Sequence, residues 1–201
     1  MIVDRINRAT RRVPAWPIYI VAVAIAGFQF YQGLTGALGP EPINALEREY
    51  GELALKLLIA GLVITPLRTF TGVNLIKYRR AIGLSAFFFA TAHLAVWAFL
   101  DVRAWSRVIE EIIKRPYVTI GMAAFVLLIP LAVTSNKASI RAMGANWRKL
   151  HKLTYPAVLL GGIHYVWLVK GWPAEPFIYL AVIIALLAVR FKPFRFQRAR
   201  A

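Results

Sequence analysis

The chain has 201 residues, 59% of them apolar, and its 25 Lys and Arg against nine Asp and Glu give a formal charge of +16. Cysteine is absent, which excludes disulfides, thiolate metal sites, iron–sulfur ligation and covalent c-type haem attachment. The basic residues lie in short segments between long apolar blocks, a distribution that marks membrane topology and not a nucleic-acid-binding surface.

Six apolar stretches follow in chain order, at about 15–34, 53–67, 82–100, 117–133, 155–169 and 176–189. They are continuous blocks without the two-residue period of strands or the amphipathic period of soluble helices. This predicts an all-α membrane protein, a bundle of about six transmembrane helices forming one domain over residues 1–201. Several stretches are at or below the ~17–25 residues that a span requires, so their flanks must extend them. The first lies behind Arg11 and Arg12 and could be a signal peptide, but its apolar run is long for one and no clean small-x-small cleavage site follows, so a retained helix is preferred. Lys56, in the second, can snorkel to the interface.

Basic residues set the orientation. The N-terminal tail, the segments after the second and fourth stretches, and the C-terminal tail together hold 18 of the 25. Eight of the nine carboxylates (Glu41, Glu47, Glu49, Glu52, Asp101, Glu110, Glu111 and Glu175) fall on the opposite side, which leaves only Asp4 with the basic segments. Both termini are therefore expected in the cytoplasm, with Trp97, Trp105, Trp167 and Trp172 forming an aromatic belt toward the outer side. No Gly-x-Gly-x-x-Gly run follows a strand, so the chain carries no Rossmann-type nicotinamide or FAD module.

With no cysteine, redox chemistry would fall to three histidines: His93, His151 and His164. His93 lies 13 residues beyond Arg80 and His164 lies 12 beyond Lys152. At ~1.5 Å per residue both sit roughly 18–20 Å from the cytoplasmic edge, past the midplane of a ~30 Å hydrocarbon layer and at nearly equal depth. Two neutral imidazoles at one depth on different helices suit axial ligation of a membrane haem, with the second ring nitrogen donating to Thr91, Tyr165 or a nearby carbonyl. Ala92, Ala95, Gly161 and Gly162 would allow close approach. The plainer reading is an interhelical hydrogen bond for each, worth about 0.6 kcal/mol in membranes.

His151 precedes His164 by 13 residues, ~20 Å along a straight helix and about 140° around it. That separation suits a second cofactor in the other leaflet, unless His151 is an ordinary interfacial histidine. At its depth the third helix offers Arg79 and Arg80, which either hold haem propionates or mark topology.

A set of ordered runs resembles one known family. They are Gly51-Glu-Leu-Ala-Leu-Lys56, Leu62-Val-Ile-Thr-Pro-Leu67, Arg79-Arg-Ala-Ile-Gly-Leu84, Ala90-Thr-Ala-His-Leu94, Lys114-Arg-Pro-Tyr117, Pro130-Leu-Ala-Val-Thr-Ser135, Trp147-Arg-Lys-Leu-His151 and His164-Tyr-Val-Trp167 followed by Val169-Lys170. The family is that of the haem-binding membrane subunits of periplasmic methionine-sulfoxide reductase systems (MsrQ, also called YedZ), in the ferric-reductase-like transmembrane superfamily. The resemblance implies haem b, one or two per chain, with His93 and His164 as axial ligands and His151 at a second haem. It also implies an association with FMN, for which no local motif is present. The wider superfamily usually places two histidines on each of two helices, and this chain lacks one of those four.

The implied role is an electron-transfer subunit and not a stand-alone catalyst. Electrons from membrane quinone, or from a cytoplasmic flavin source, would cross the bacterial inner membrane to a periplasmic molybdenum-cofactor methionine-sulfoxide reductase (MsrP-like) that repairs oxidised proteins. Two alternatives remain: a cytochrome b that reduces ferric iron or another acceptor directly, and a haem-free transporter or scaffold. The transporter is disfavoured because Gln29 and Gln32 are almost the only amide or acidic groups inside the stretches.

Overall fold

The computed structural model describes residues 2–169 and 171–191. Lys170 and the tail cations Lys192, Arg195, Arg198 and Arg200 lie outside the described residues. The α-helices are α1 (Ile2–Arg12), α2 (Pro17–Leu34), α3 (Pro42–Thr71), α4 (Arg79–Ala95), α5 (Trp105–Lys114), α6 (Pro116–Val133), α7 (Lys137–Met143), α8 (Ala145–Leu150), α9 (Thr154–Leu168) and α10 (Ala174–Phe191). No strand occurs among the described residues. Proline opens α2, α3 and α6, where its missing N–H would have had no helical partner anyway. Gly72 ends α3 at φ 79°, a left-handed turn that favours glycine.

Each of the six apolar stretches falls mainly on one of these helices, and α3 and α10 extend beyond theirs at both ends. α3 starts well before residue 53 because Glu47, Glu49 and Glu52 continue it as helix at the acidic end. A π-helical turn, Val96–Val102, prolongs α4. Among the described residues four segments are long and apolar enough to cross a membrane: Pro17–Leu34, Pro42–Thr71, Ile76–Val102 and Pro116–Val133. The 15-residue α9 continues from a 3-10 turn at His151–Leu153, and α10 carries charge only near its ends, at Glu175 and Arg190. Most of each span faces outward, and what it presents is apolar: Ile20, Val21 and Phe28 on α2, Val126 on α6, and Ile178 and Ile184 on α10 are exposed. Apolar area on that scale is stable against lipid and not against water. The molecule is a multi-pass membrane protein.

α3 is the centre of the bundle and packs against α2, α4, α9 and α10, while α6 lies along α9. One core cluster includes Leu58, Leu62, Leu128, Val158 and Ile183, and a second joins α2 to α3 and α4 through Ala26, Tyr50 and Phe89. Tyr50 ties that second cluster by donating its hydroxyl to the Ala26 carbonyl at 2.7 Å. Pro66 lies inside α3 and has no N–H for the Leu62 carbonyl. Arg190 on α10 supplies the missing donor, Nη2 to the Leu62 oxygen at 2.6 Å.

Three segments that hydropathy leaves as loops are helical. α5 is amphipathic, with Val108 buried and Trp105, Ile109 and Ile113 exposed. α1 docks on the turn after α3, where the Asn7 amide donates to Gly72 O and its oxygen accepts from Asn74 N–H. α7 is capped by Asn136, whose side chain accepts from the Ser139 N–H at 2.8 Å, as N-cap residues do.

Candidate functional site: two imidazoles in one cavity

His93 lies near the end of α4 and His164 near the end of α9, and the bundle brings their ring centres to 6.3 Å with planes at 75°. Each ring is anchored from outside its own helix. His93 Nδ1–H donates to the Glu47 carbonyl of α3 at 2.8 Å, and His164 Nδ1–H donates to the Tyr117 carbonyl of α6 at 2.7 Å. A carbonyl can only accept, so Nδ1 carries the proton in both rings and Nε2 keeps its lone pair. Both rings line one cavity of about 160 Å³, walled mainly by apolar and small residues.

The sequence placed the two histidines at one depth, and the fold adds what a sequence cannot carry. Thr91, a suggested acceptor, donates back to Phe87 O at 2.8 Å, and Tyr165 donates to Glu52 at 3.1 Å. The acceptors are carbonyls on neighbouring helices. Close approach also comes from elsewhere than Ala92, Ala95 or Gly162. A Cβ at Gly51 would lie 3.1 Å from His93 Nδ1, and one at Gly121 would lie 2.8 Å from both Nδ1 and Cε1 of His164. Of the glycines noted in the sequence, Gly161 lines the cavity, while Gly162 packs against Ile183 and Leu180 of α10.

This arrangement fits haem. With ring centres 6.3 Å apart and a free Nε2 on each, His93 and His164 would be the residues to hold a haem iron between them. Among the described residues no three His, Cys, Asp or Glu side chains converge on a metal position, so the two imidazoles suit a metal that brings its equatorial ligands with it. Arg48, Tyr117 and Tyr165 also line the cavity wall.

A second cavity, of about 480 Å³, opens toward the basic end and is lined by Arg79, Arg80, Arg148, Lys152 and His151. Leu58 and Leu128 line both cavities, so a single layer of side chains separates them. His151 and His164 share a nearly continuous helical run, but the 3-10 turn at His151–Leu153 winds each residue through roughly 120°. The turn thereby reduces the expected 140° offset to about 80° and lets both rings face the bundle interior. His151 stacks on Trp147 with ring centres at 3.9 Å, and its Nε2 lies 3.0 Å from Thr134 Oγ1. Thr134 already donates to Pro130 O, so Nε2–H is the donor in that contact. Burial, with the Arg79 charge adding to it, holds the His151 pKa below its ordinary value, so the ring is neutral at neutral pH.

Residues 50–162 match the ferric reductase like transmembrane component family. Over 176 residues, 87% of this chain and 80% of the relative, the chain is 46% identical to a Brucella anthropi protein named protein-methionine-sulfoxide reductase heme-binding subunit MsrQ. Proteins of the same name from Brucella ovis and Brucella canis are 45% identical over the same shares. No solved structure matches the chain.

Proposed function

This chain belongs to the MsrQ family, within the ferric reductase like transmembrane components, and from that membership we propose that it is the haem-binding membrane subunit of a methionine-sulfoxide reductase system. The observation that carries the reading is the pair of imidazoles at 6.3 Å, each fixed through Nδ1 to a neighbouring helix. Haem b, when bound, supplies a one-electron Fe(III)/Fe(II) couple. The chain's own contribution is to hold two imidazoles with free Nε2 atoms in one cavity, exclude water with apolar walls, and place Arg48 in that wall, where it would meet a carboxylate. Electrons drawn from membrane quinone or a cytoplasmic flavin source pass to the periplasmic side, where a molybdenum-cofactor methionine-sulfoxide reductase consumes two electrons and two protons per sulfoxide. The inner cavity, with His151 in its wall, is the place for a second redox group, either a second haem or FMN. For His151 Nε2 to bind iron there, its ring must turn away from Thr134.

The direct test is the protein as purified. A Soret band, a haem-to-protein ratio near one or two, and reoxidation on adding the periplasmic reductase with a sulfoxide substrate are expected. Absence of a Soret band from membranes of haem-sufficient cells would return the chain to a transporter or scaffold.

Orientation is tested separately. With 18 of 25 cations on one side and the positive-inside rule, reporter fusions after Ala201 and within residues 101–116 should report opposite compartments, the latter periplasmic. The same compartment for both would remove the alternating six-span arrangement.

His151→Ala should leave the His93/His164 haem spectrum intact, because His151 belongs to the other cavity, and should slow reduction by a quinol donor in liposomes. Loss of the low-spin signal in this variant would show that the two cavities are not independent. Unchanged reduction kinetics would make His151 an interfacial residue without a redox role.

A further inference from the structure

We infer that Gly51 and Gly121 are positioning residues for the two histidines, each lacking a side chain so that an imidazole of the neighbouring helix can reach the carbonyl four residues before it. The inference rests on the haem reading above. The same device occurs twice. His93 of α4 lies over Gly51 and donates to Glu47 O, and His164 of α9 lies over Gly121 and donates to Tyr117 O. In both cases the acceptor precedes the glycine by four, so it is the carbonyl that the glycine's own N–H bonds in the helix. A helical Cβ tilts toward the N-terminus and covers the turn before its own Cα. A side chain at residue 51 or 121 would therefore stand over the carbonyl that the imidazole needs.

These contacts are unequal. At Gly121 the added Cβ would sit 2.8 Å from two atoms of His164, and at Gly51 its nearest His93 atoms would be at 3.1 and 3.2 Å. His164 is a rigid ring pinned by its hydrogen bond, so the clash must displace the ring or part α6 from α9. Either change breaks the Nδ1 contact that fixes the tautomer and aims Nε2. Gly162 is the natural control. A Cβ there also meets an atom at 2.8 Å, but that atom is Ile183 Cδ1, the flexible end of an aliphatic chain on α10.

The test compares Gly121→Ala, Gly51→Ala and Gly162→Ala in the purified full-length protein. The readouts are haem content, low-spin EPR signal, haem loss to an excess of an apoprotein scavenger, and thermal unfolding. Removing an outer-shell partner of a metal ligand weakens the metal by roughly ten- to a hundredfold. Gly121→Ala should accordingly lose haem about tenfold faster, with an altered low-spin signal. Gly51→Ala should show a smaller change of the same kind, and Gly162→Ala a wild-type haem signal whatever its unfolding temperature. Equal haem loss in Gly121→Ala and Gly162→Ala would reduce the glycines to helix packing, and wild-type haem behaviour in Gly121→Ala would overturn the inference outright. Failure of the haem reading itself would show differently, as no Soret band in the wild-type protein, and failure of the ligand assignment as full haem retention in His164→Ala.

Discussion

His93→Ala and His164→Ala are each expected to reduce bound low-spin haem to under about a tenth of wild type, at least the ten- to hundredfold weakening that follows loss of a mere outer-shell partner. The reason is geometric. The two rings stand 6.3 Å apart across one cavity, and among the described residues they are the two histidines in its wall. Deleting an imidazole also removes one interhelical hydrogen bond, to Glu47 O or Tyr117 O, but such bonds are worth only about 0.6 kcal/mol in membranes. The fold should therefore survive, and size exclusion with thermal unfolding can verify that the protein purifies intact. Pyridine haemochrome and EPR then measure the loss. Two intact variants with full haem and unchanged low-spin spectra would sink the ligand assignment.

Arg190→Met is expected to destabilise the bundle by roughly 1–3 kcal/mol, the cost of a buried acceptor left without a donor. Leu62 is fully buried, and its carbonyl loses its usual helical donor at Pro66. The guanidinium that replaces the donor also holds Tyr155 Oη at 3.1 Å. Inside a membrane no water can take over. Pro66→Ala restores an N–H to α3, so the double variant should recover part of the loss, with a coupling of about 1 kcal/mol in reversible SDS unfolding. Strictly additive effects would mean that the Arg190 contact contributes nothing at Leu62.

Hydropathy made much of this architecture readable. Four of the apolar stretches lie in helices able to cross a membrane, and all six lie in helices. The equal depth of His93 and His164 anticipated that they could meet. The limits of the helices were less readable, because Glu47, Glu49 and Glu52 depress hydropathy without ending α3. Short amphipathic pieces such as α5 were hidden for a related reason: their apolar residues cover one face and never form a block. Gly121 did leave a signal, as the one glycine of the apolar α6, whereas Gly51 shares α3 with Gly61 and lies among charged residues. The suggested small residues were instead those beside the histidines in sequence.

What was written in the chain is whatever sums over a local segment: the tendency of each block to enter lipid, the excess of cations on one side, and the distance of a histidine from the nearest charge. The tertiary structure alone decided relations between segments. It chose which helix pairs with which, gave the Nδ1 atoms of His93 and His164 their carbonyls on α3 and α6, turned His151 onto Trp147 and Thr134, and sent Arg190 to the carbonyl that Pro66 leaves open. Transfer into lipid is nearly additive along a helix. A hydrogen bond between helices depends on ångström-scale distance and direction, and those arise only once the helices have packed.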